Sequence, residues 1–347
     1  MTAVFCHNAK DRKAETWQQQ LTPFEDLEFV ISDAAKGIAT AVQQTAQRRR
    51  ESDPLASALG HGLDLFHTTH EAQRVLTQAW RAVEPLWEQA ETCDARVQRD
   101  QKQGIDARRS GSAGAARTAW SEAIEAFKPV ERLESAWDRC RSAFELFRPD
   151  GQLNDRRWAE AQIKAGLSEL TGPEWRKVRN FLTDRRSLAF LDRMHQRLAA
   201  AEPRKEWREV LAWRWWRRHG GSSNPGSCPL AMMAYAVAMH LPLEDTEQAA
   251  YDRIAAILKD TVRASSAVEC MNSVLRMQQS RHRRMTQPML DLKRLYWNCH
   301  PFRSGPRKKQ CPYQALGLEL PTYDFWTLLR SARAELTQEL STTAIAA

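Results

Sequence analysis

The chain has 347 residues, 42% of them hydrophobic and 27% charged, with a net charge of +8 and a pI near 9.2. That length suits two or three domains, and that composition excludes a disordered chain. Seven scattered cysteines, odd in number and without a C-x-x-C pair, exclude a disulfide framework.

In chain order, residues 11–21 are polar with a helical character. Leu27, Glu28, Phe29, Val30 and Ile31 read as a short buried strand. Asp33 follows at once, and then Ala35, Ile38, Ala39 and Val42 recur at helical spacing. Asp33 is therefore placed where a strand ends and a helix begins, the edge at which α/β folds bind ligands and metals. A second apolar segment, residues 59–66, leads into Asp64 and His67.

From about residue 72 the pattern changes. Val75, Leu76, Ala79, Val83, Leu86 and Trp87 follow an amphipathic helical period. Val130, Leu133, Trp137, Cys140, Phe144 and Phe147 are spaced 3-4-3-4-3, a heptad rhythm for helix packing. A Gly-, Ser- and Arg-rich loop, residues 104–114, separates the two. Further helices are expected over residues 156–169, 174–200, 203–218, 230–240 and 245–260, with a Gly/Pro-rich loop at 219–229. No convincing strand falls between residues 72 and 262. Ser266 and Glu269 stand at capping-box spacing before another helix, and Asp324 suits the start of a last one.

The charge is concentrated. Residues 263–310 hold eleven Lys and Arg against two acids, an excess of nine, so the rest of the chain is close to neutral. A local basic block that also contains Leu275, Leu292, Leu295, Tyr296 and Trp297 reads as a folded polyanion-binding element. On the helix after Ser266, Glu269, Asn272, Ser273 and Arg276 share one face, beyond which Arg281, His282, Arg283 and Arg284 extend the positive charge. An acid at the mouth of a basic groove suits metal-assisted phosphoryl transfer on nucleic acid. Phosphate contacts are assigned to Arg276, Arg281, Arg283, Arg284, Lys293, Arg294, Arg303, Arg307, Lys308 and Lys309. Trp213 and Trp216, among arginines, suit either base stacking or burial against a neighbouring helix. Cys299, His300 and Cys311 flank a basic loop but lack a four-ligand zinc spacing.

Three segments together resemble the DDE-type insertion-sequence transposases. The run from Val30 through Ser32, Asp33 and Gly37 to Ile38 is similar to the strand bearing their second catalytic aspartate. Asp64-Leu65-Phe66-His67 is similar to the D-x-x-H element downstream of it. The run from Ser265 through Glu269 and Asn272 to Arg276 is similar to the helix bearing their final glutamate. His300 to Arg303, Cys311 to Tyr313 and Leu316-Gly317 resemble the tail of bacterial members. The resemblance implies a mostly α chain with a small α/β part, an incomplete ribonuclease-H-like core interrupted by a large all-helical insertion. It divides the chain into a partial core (1–72), an insertion domain (73–262) and a core helix with a basic tail (263–340). Asp33 and Glu269 would be the catalytic metal ligands, holding Mg²⁺ or Mn²⁺ side by side, with Asp64 and His67 organising them. Implied partners are double-stranded DNA (transposon ends and target), another copy of the chain, or a full-length transposase.

The first catalytic aspartate and its strands find no counterpart before Leu27, and Asp11 does not sit on a strand. The resemblance therefore implies an N-terminally truncated member, inactive by itself. No secretory signal is expected. The longest apolar run, residues 229–243, is broken by His240 and Pro242 and is shorter than the ~20 residues of a membrane span. A cytoplasmic, nucleoid-associated protein is expected. Asp33 could instead cap a helix, and Glu269 could serve its capping box. A non-catalytic DNA-binding or transposase-partner helical protein is the alternative function. A metal hydrolase built on Asp33, Asp64 and His67 is a weaker third.

Overall fold

The computed structural model describes residues 11–33, 35–54, 59–221, 243–261, 286–303, 308–315 and 317–331. The chain divides into two compact units, Leu21–Ser265 and a second made of Met1–Gln20 with Ser266–Ala347. Helix dominates, around one small parallel sheet. Among the described residues no helix is long and apolar enough to cross a membrane.

The larger unit opens with a β-α-β element: β1 (Phe29–Ser32), α2 (Lys36–Ser52) and β2 (Gly60–Leu63), after a short helix α1 (Ala14–Leu21) that precedes it in the chain. The strands pair in parallel, Phe29 with Gly60 and Ser32 with Leu63. The Phe29 ring lies flat against β2, which is why that strand carries glycines. A Cβ on Gly62 would stand 2.9 Å from the ring. Ile38, Ala41, Val42, Thr45 and Ala46 form the buried stripe of α2.

The other described elements of this unit are helical. α3 (Leu65–Lys102) and α4 (Ser112–Ser142) form an antiparallel hairpin, α3 being about 57 Å long at 1.5 Å per residue. Its outer part is held by Ala90, Ala119 and Ala123, flanked by Leu86, Trp87, Cys93 and Trp120. Both helices contain a proline, Pro85 in α3 and Pro129 in α4. Asp100 closes the connecting loop by accepting from the hydroxyls of Ser110 and Ser112, both at 2.7 Å.

α5 (Arg156–Leu167), α6 (Arg176–Thr183), α7 (Ala189–Ala201), α8 (Lys205–Arg218) and α9 (Asp245–Lys259) pack with the base of the hairpin around one core. Trp175, Phe144, Leu191, Met194, Leu198 and Ile254 are its most deeply buried large side chains. Asn154, fully buried, ties the loop after α4 into this core. Its Nδ2 donates to Ala143 O (2.9 Å) and Glu145 O (2.8 Å), and its own carbonyl bonds His195 Nε2 at 2.8 Å.

In the second unit, α10 (Gln287–Cys299), α11 (Pro312–Ala315) and α12 (Phe325–Arg330) are described. Tyr296 packs edge-on against Phe325, ring centroids 5.3 Å apart, and Asp324 caps α12 through Thr327 N at 2.8 Å.

The structure departs from the sequence reading in three places. The boundary expected near residue 72 falls inside α3, which begins at Leu65 because Asp64 caps it. The heptad run 130–147 is not one helix: α4 stops at Ser142, yet Phe144 and Phe147 stay buried because Asn154 holds the turn. Phe147 then bridges Leu153 in antiparallel fashion. The helix expected over 174–200 breaks at Asp184, whose carboxylate accepts from Arg186 N at 2.9 Å and starts a 3₁₀ turn, Arg185–Leu188. The helix expected at 230–240 lies outside the described residues.

Gly166 on α5 rests directly on α4. A side chain there would meet Cys140 Sγ and stand 2.6 Å from the Ala136 carbonyl oxygen. Gly166→Ala should therefore lower stability by about 1–3 kcal/mol, the usual cost of overpacking. Urea unfolding followed by circular dichroism measures this, and an unchanged midpoint would mean the helices are not in such close contact.

Candidate functional site

The two strands end level. Asp64 N donates to Ser32 O at 2.9 Å, the last rung of the ladder, so Asp33 and Asp64 follow matched residues at the carboxyl ends of adjacent parallel strands. Open α/β sheets bind ligands in this position.

The two acids have different surroundings. Asp64 is buried; its side chain is only 1% exposed. Its Oδ1 accepts from Phe66 N at 2.9 Å and caps α3, while Oδ2 stands 3.9 Å from Nε2 of the half-exposed His67. Asp33 is exposed, and its Oδ1 receives only a long contact from Ala35 N at 3.4 Å. The residue at the start of α2 is Ala35, which offers no side-chain cap. Helix capping thus describes Asp64 and not Asp33.

Behind Asp33 runs a chain of polar contacts that the sequence reading did not find. Arg186 is fixed by Asp184 through Nη2 at 2.7 Å and Nε at 3.0 Å. Its Nη1 reaches His61 Nδ1 at 3.4 Å. A guanidinium only donates, so Nδ1 accepts and the imidazole proton resides on Nε2. Nε2 then donates to Ser32 Oγ at 2.8 Å, and Ser32 Oγ donates to Asp33 O at 2.8 Å. Burial, and then the charge of Arg186, lower the His61 pKa from 6.5 to about 4, with Asp184 pulling the other way. His61 is therefore neutral at physiological pH. Only its place in a short apolar strand hinted at a role. Its partner lies 125 residues away, beyond the reach of local pattern.

Lys36, Gln43, Gln47 and Arg50 on the outer face of α2, with His61 and Arg186, line an open groove of 880 Å³ in the same unit.

The other expected residues are placed as follows. Glu269, Arg276, Arg281, Arg283, Arg284 and Arg307 lie outside the described residues. On α10, Lys293 is half-buried and Arg294 lies 3.7 Å from Asp291, while Arg303, Lys308 and Lys309 are exposed. Trp213 is 2% exposed, so its ring has no open face for a base. Trp216 is half-buried, stacked on Phe147 at 5.8 Å with Gly151 and Gly221 against its ring. Both indoles pack α8 against the loop after α4, and burial leaves Trp213 no room for a base.

Cys299 and Cys311 are buried free thiols, and burial raises the Cys299 pKa to about 11. Among the described residues no three His, Cys, Asp or Glu side chains converge on a metal position. This excludes, among them, both the zinc arrangement and a centre of Asp33, Asp64 and His67. For a divalent ion, the described strand ends supply one accessible carboxylate, Asp33. These residues do not by themselves make a metal centre.

The pH dependence of His61 follows with a definite sign. Its folded pKa, about 4, lies below the unfolded 6.5, so between these values the unfolded chain binds the extra proton. The stability His61 contributes is fully present above pH 6.5 and is lost as pH falls towards 4. His61→Asn should lose less stability between these pH values than the wild type, as read by urea midpoints. Equal losses would mean that His61 is not buried in neutral form.

Comparison with protein-family models, with curated proteins and with solved structures finds no match.

Proposed function

We propose that this chain is a member of the DDE-type DNA transposases, with the β-α-β element as part of a ribonuclease-H-like core and the long helical stretch as its insertion. The observation that carries the reading is the pairing of strand ends. An exposed carboxylate, Asp33, stands level with a buried one, Asp64, at the carboxyl edge of a parallel sheet, and helices fill most of the next hundred and more residues. The D-x-x-H pair supports it, since Asp64 and His67 sit side by side.

In this reading the partner is double-stranded DNA, and Asp33 is a ligand of Mg²⁺ or Mn²⁺. Such an ion, when bound, would polarise a phosphodiester and lower the pKa of the attacking oxygen. The chain's own contribution at the described strand ends is to position. Ser32 and His61 hold the main chain at Asp33, and Asp64 fixes the exit of β2. The basic residues of the 263–310 block supply phosphate contacts. Among the described residues the strand ends supply one accessible carboxylate, Asp33, and Glu269, the second proposed ligand, lies outside them; the chain alone is expected to bind DNA without transferring strands. The same observation favours a second reading, a non-catalytic DNA-binding protein built on this scaffold.

Fluorescence anisotropy with a labelled duplex, with and without Mn²⁺, tests both. Binding should weaken steeply with salt, Mn²⁺ should tighten it, and Asp33→Asn should abolish the Mn²⁺ effect alone. Absence of DNA binding overturns the proposal. An Mn²⁺ effect that survives in Asp33→Asn, or no effect in the wild type, leaves the non-catalytic reading. Strand transfer by the chain alone overturns the claim of inactivity.

A further inference from the structure

The groove beside α2 has no role in the sequence reading, which placed every phosphate contact between residues 276 and 309. We infer that this groove carries the phosphodiester backbone of DNA towards Asp33. The inference rests on the DNA reading above and names the path that the strand takes over the larger unit.

Four features support it. Lys36, Gln43, Gln47 and Arg50 lie at i, i+7, i+11 and i+14, so one face of α2 presents a row of donors. Lys36 and Arg50 are separated by about 21 Å along the helix axis, long enough to follow several consecutive phosphates of one strand. Among the described residues neither cation is paired with a carboxylate, so both are available to an anion. The one acid in the lining, Glu51, is engaged by Gln47 Nε2 at 2.9 Å.

The groove is also joined to the strand-end acid. Lys36 stands three residues after Asp33. On the other wall His61, which bonds Ser32, lies two hydrogen bonds from the Asp33 main chain. A strand lying here is directed towards Asp33, the exposed carboxylate of the described strand ends.

The chemistry of the lining decides against a protein helix as occupant. Helix-binding grooves offer large accessible apolar side chains. Here the apolar floor is Val42, Ala46 and Leu59, all buried beneath the donors. Neutral His61 and the amides donate or accept without adding negative charge, which suits a ligand with a repeating anion.

The test uses the full chain and a short fluorescein-labelled duplex, with anisotropy read between about 50 and 200 mM salt. Two double variants are compared with the wild type: Lys36→Ala with Arg50→Ala in the groove, and Lys308→Ala with Lys309→Ala in the basic block. The groove residues are exposed, and circular dichroism checks that the fold is kept. Removing two phosphate contacts should reduce the salt slope by roughly two and weaken binding about tenfold at the low-salt end. If the groove variant binds like the wild type while the basic-block variant loses affinity, the groove inference fails and the DNA reading stands. If the wild type does not bind the duplex, both fail. If the groove variant loses self-association by sedimentation but keeps its DNA affinity, the groove holds a second copy of the chain and the inference is overturned.

Discussion

The described strands are tied to the surrounding helices through one half-buried, uncharged imidazole. Two strands make no stable sheet alone, so the β-α-β element must be held by the helices around it. His61 provides the central link, receiving from Arg186 and donating to Ser32. Two more arginines complete the attachment. Arg193 sits 5.0 Å above the Phe29 ring and pairs with Glu28 at 2.6 Å, and Arg49 donates to the carbonyls of Leu27 and Phe24, both at 2.6 Å. All three cations meet neutral or acidic groups in the strand segment. A second positive charge at His61 would face Arg186 directly, which is why its neutrality matters.

The contrast between Asp33 and Asp64 shows how a small difference in local geometry sets a residue's availability. Both acids follow the last paired residue of a strand. α3 starts at Leu65, so Asp64 stands directly at its first turn and is consumed in capping it. α2 starts at Lys36, two residues too late for Asp33 to do the same. The carboxylate that does not cap is the one left exposed.

Much of the larger unit was legible in the sequence because its signals are local. The short apolar run before Asp33 and the helical spacing after it marked β1 and α2, the Asp-capped start of α12 was written in residue type, and the neutral helical stretch was readable from its apolar spacing. What the sequence concealed has a physical cause in each case. Phe144 and Phe147 keep the heptad rhythm although the helix has ended, since buried positions after a tight turn continue to face the core. Asp184 looks like any helical acid until its side chain takes the Arg186 amide. The His61 to Arg186 contact bridges residues no window could connect. The tryptophans of α8 were read two ways because an indole among arginines looks alike whether it is packed or exposed.

The two prolines of the long hairpin fall at one height. The ring contacts of Phe127 with Trp80 and Trp87, at 5.1 and 5.7 Å, bring the Pro85 turn opposite the Pro129 turn. Each proline removes a main-chain amide from its helical ladder and crowds the carbonyl four residues before it. Both legs of the stalk are thus notched at the same level, where aromatic rings rather than backbone bonds supply the stiffness. Prolines are where helices bend, so the distal arm is expected to bend at this joint.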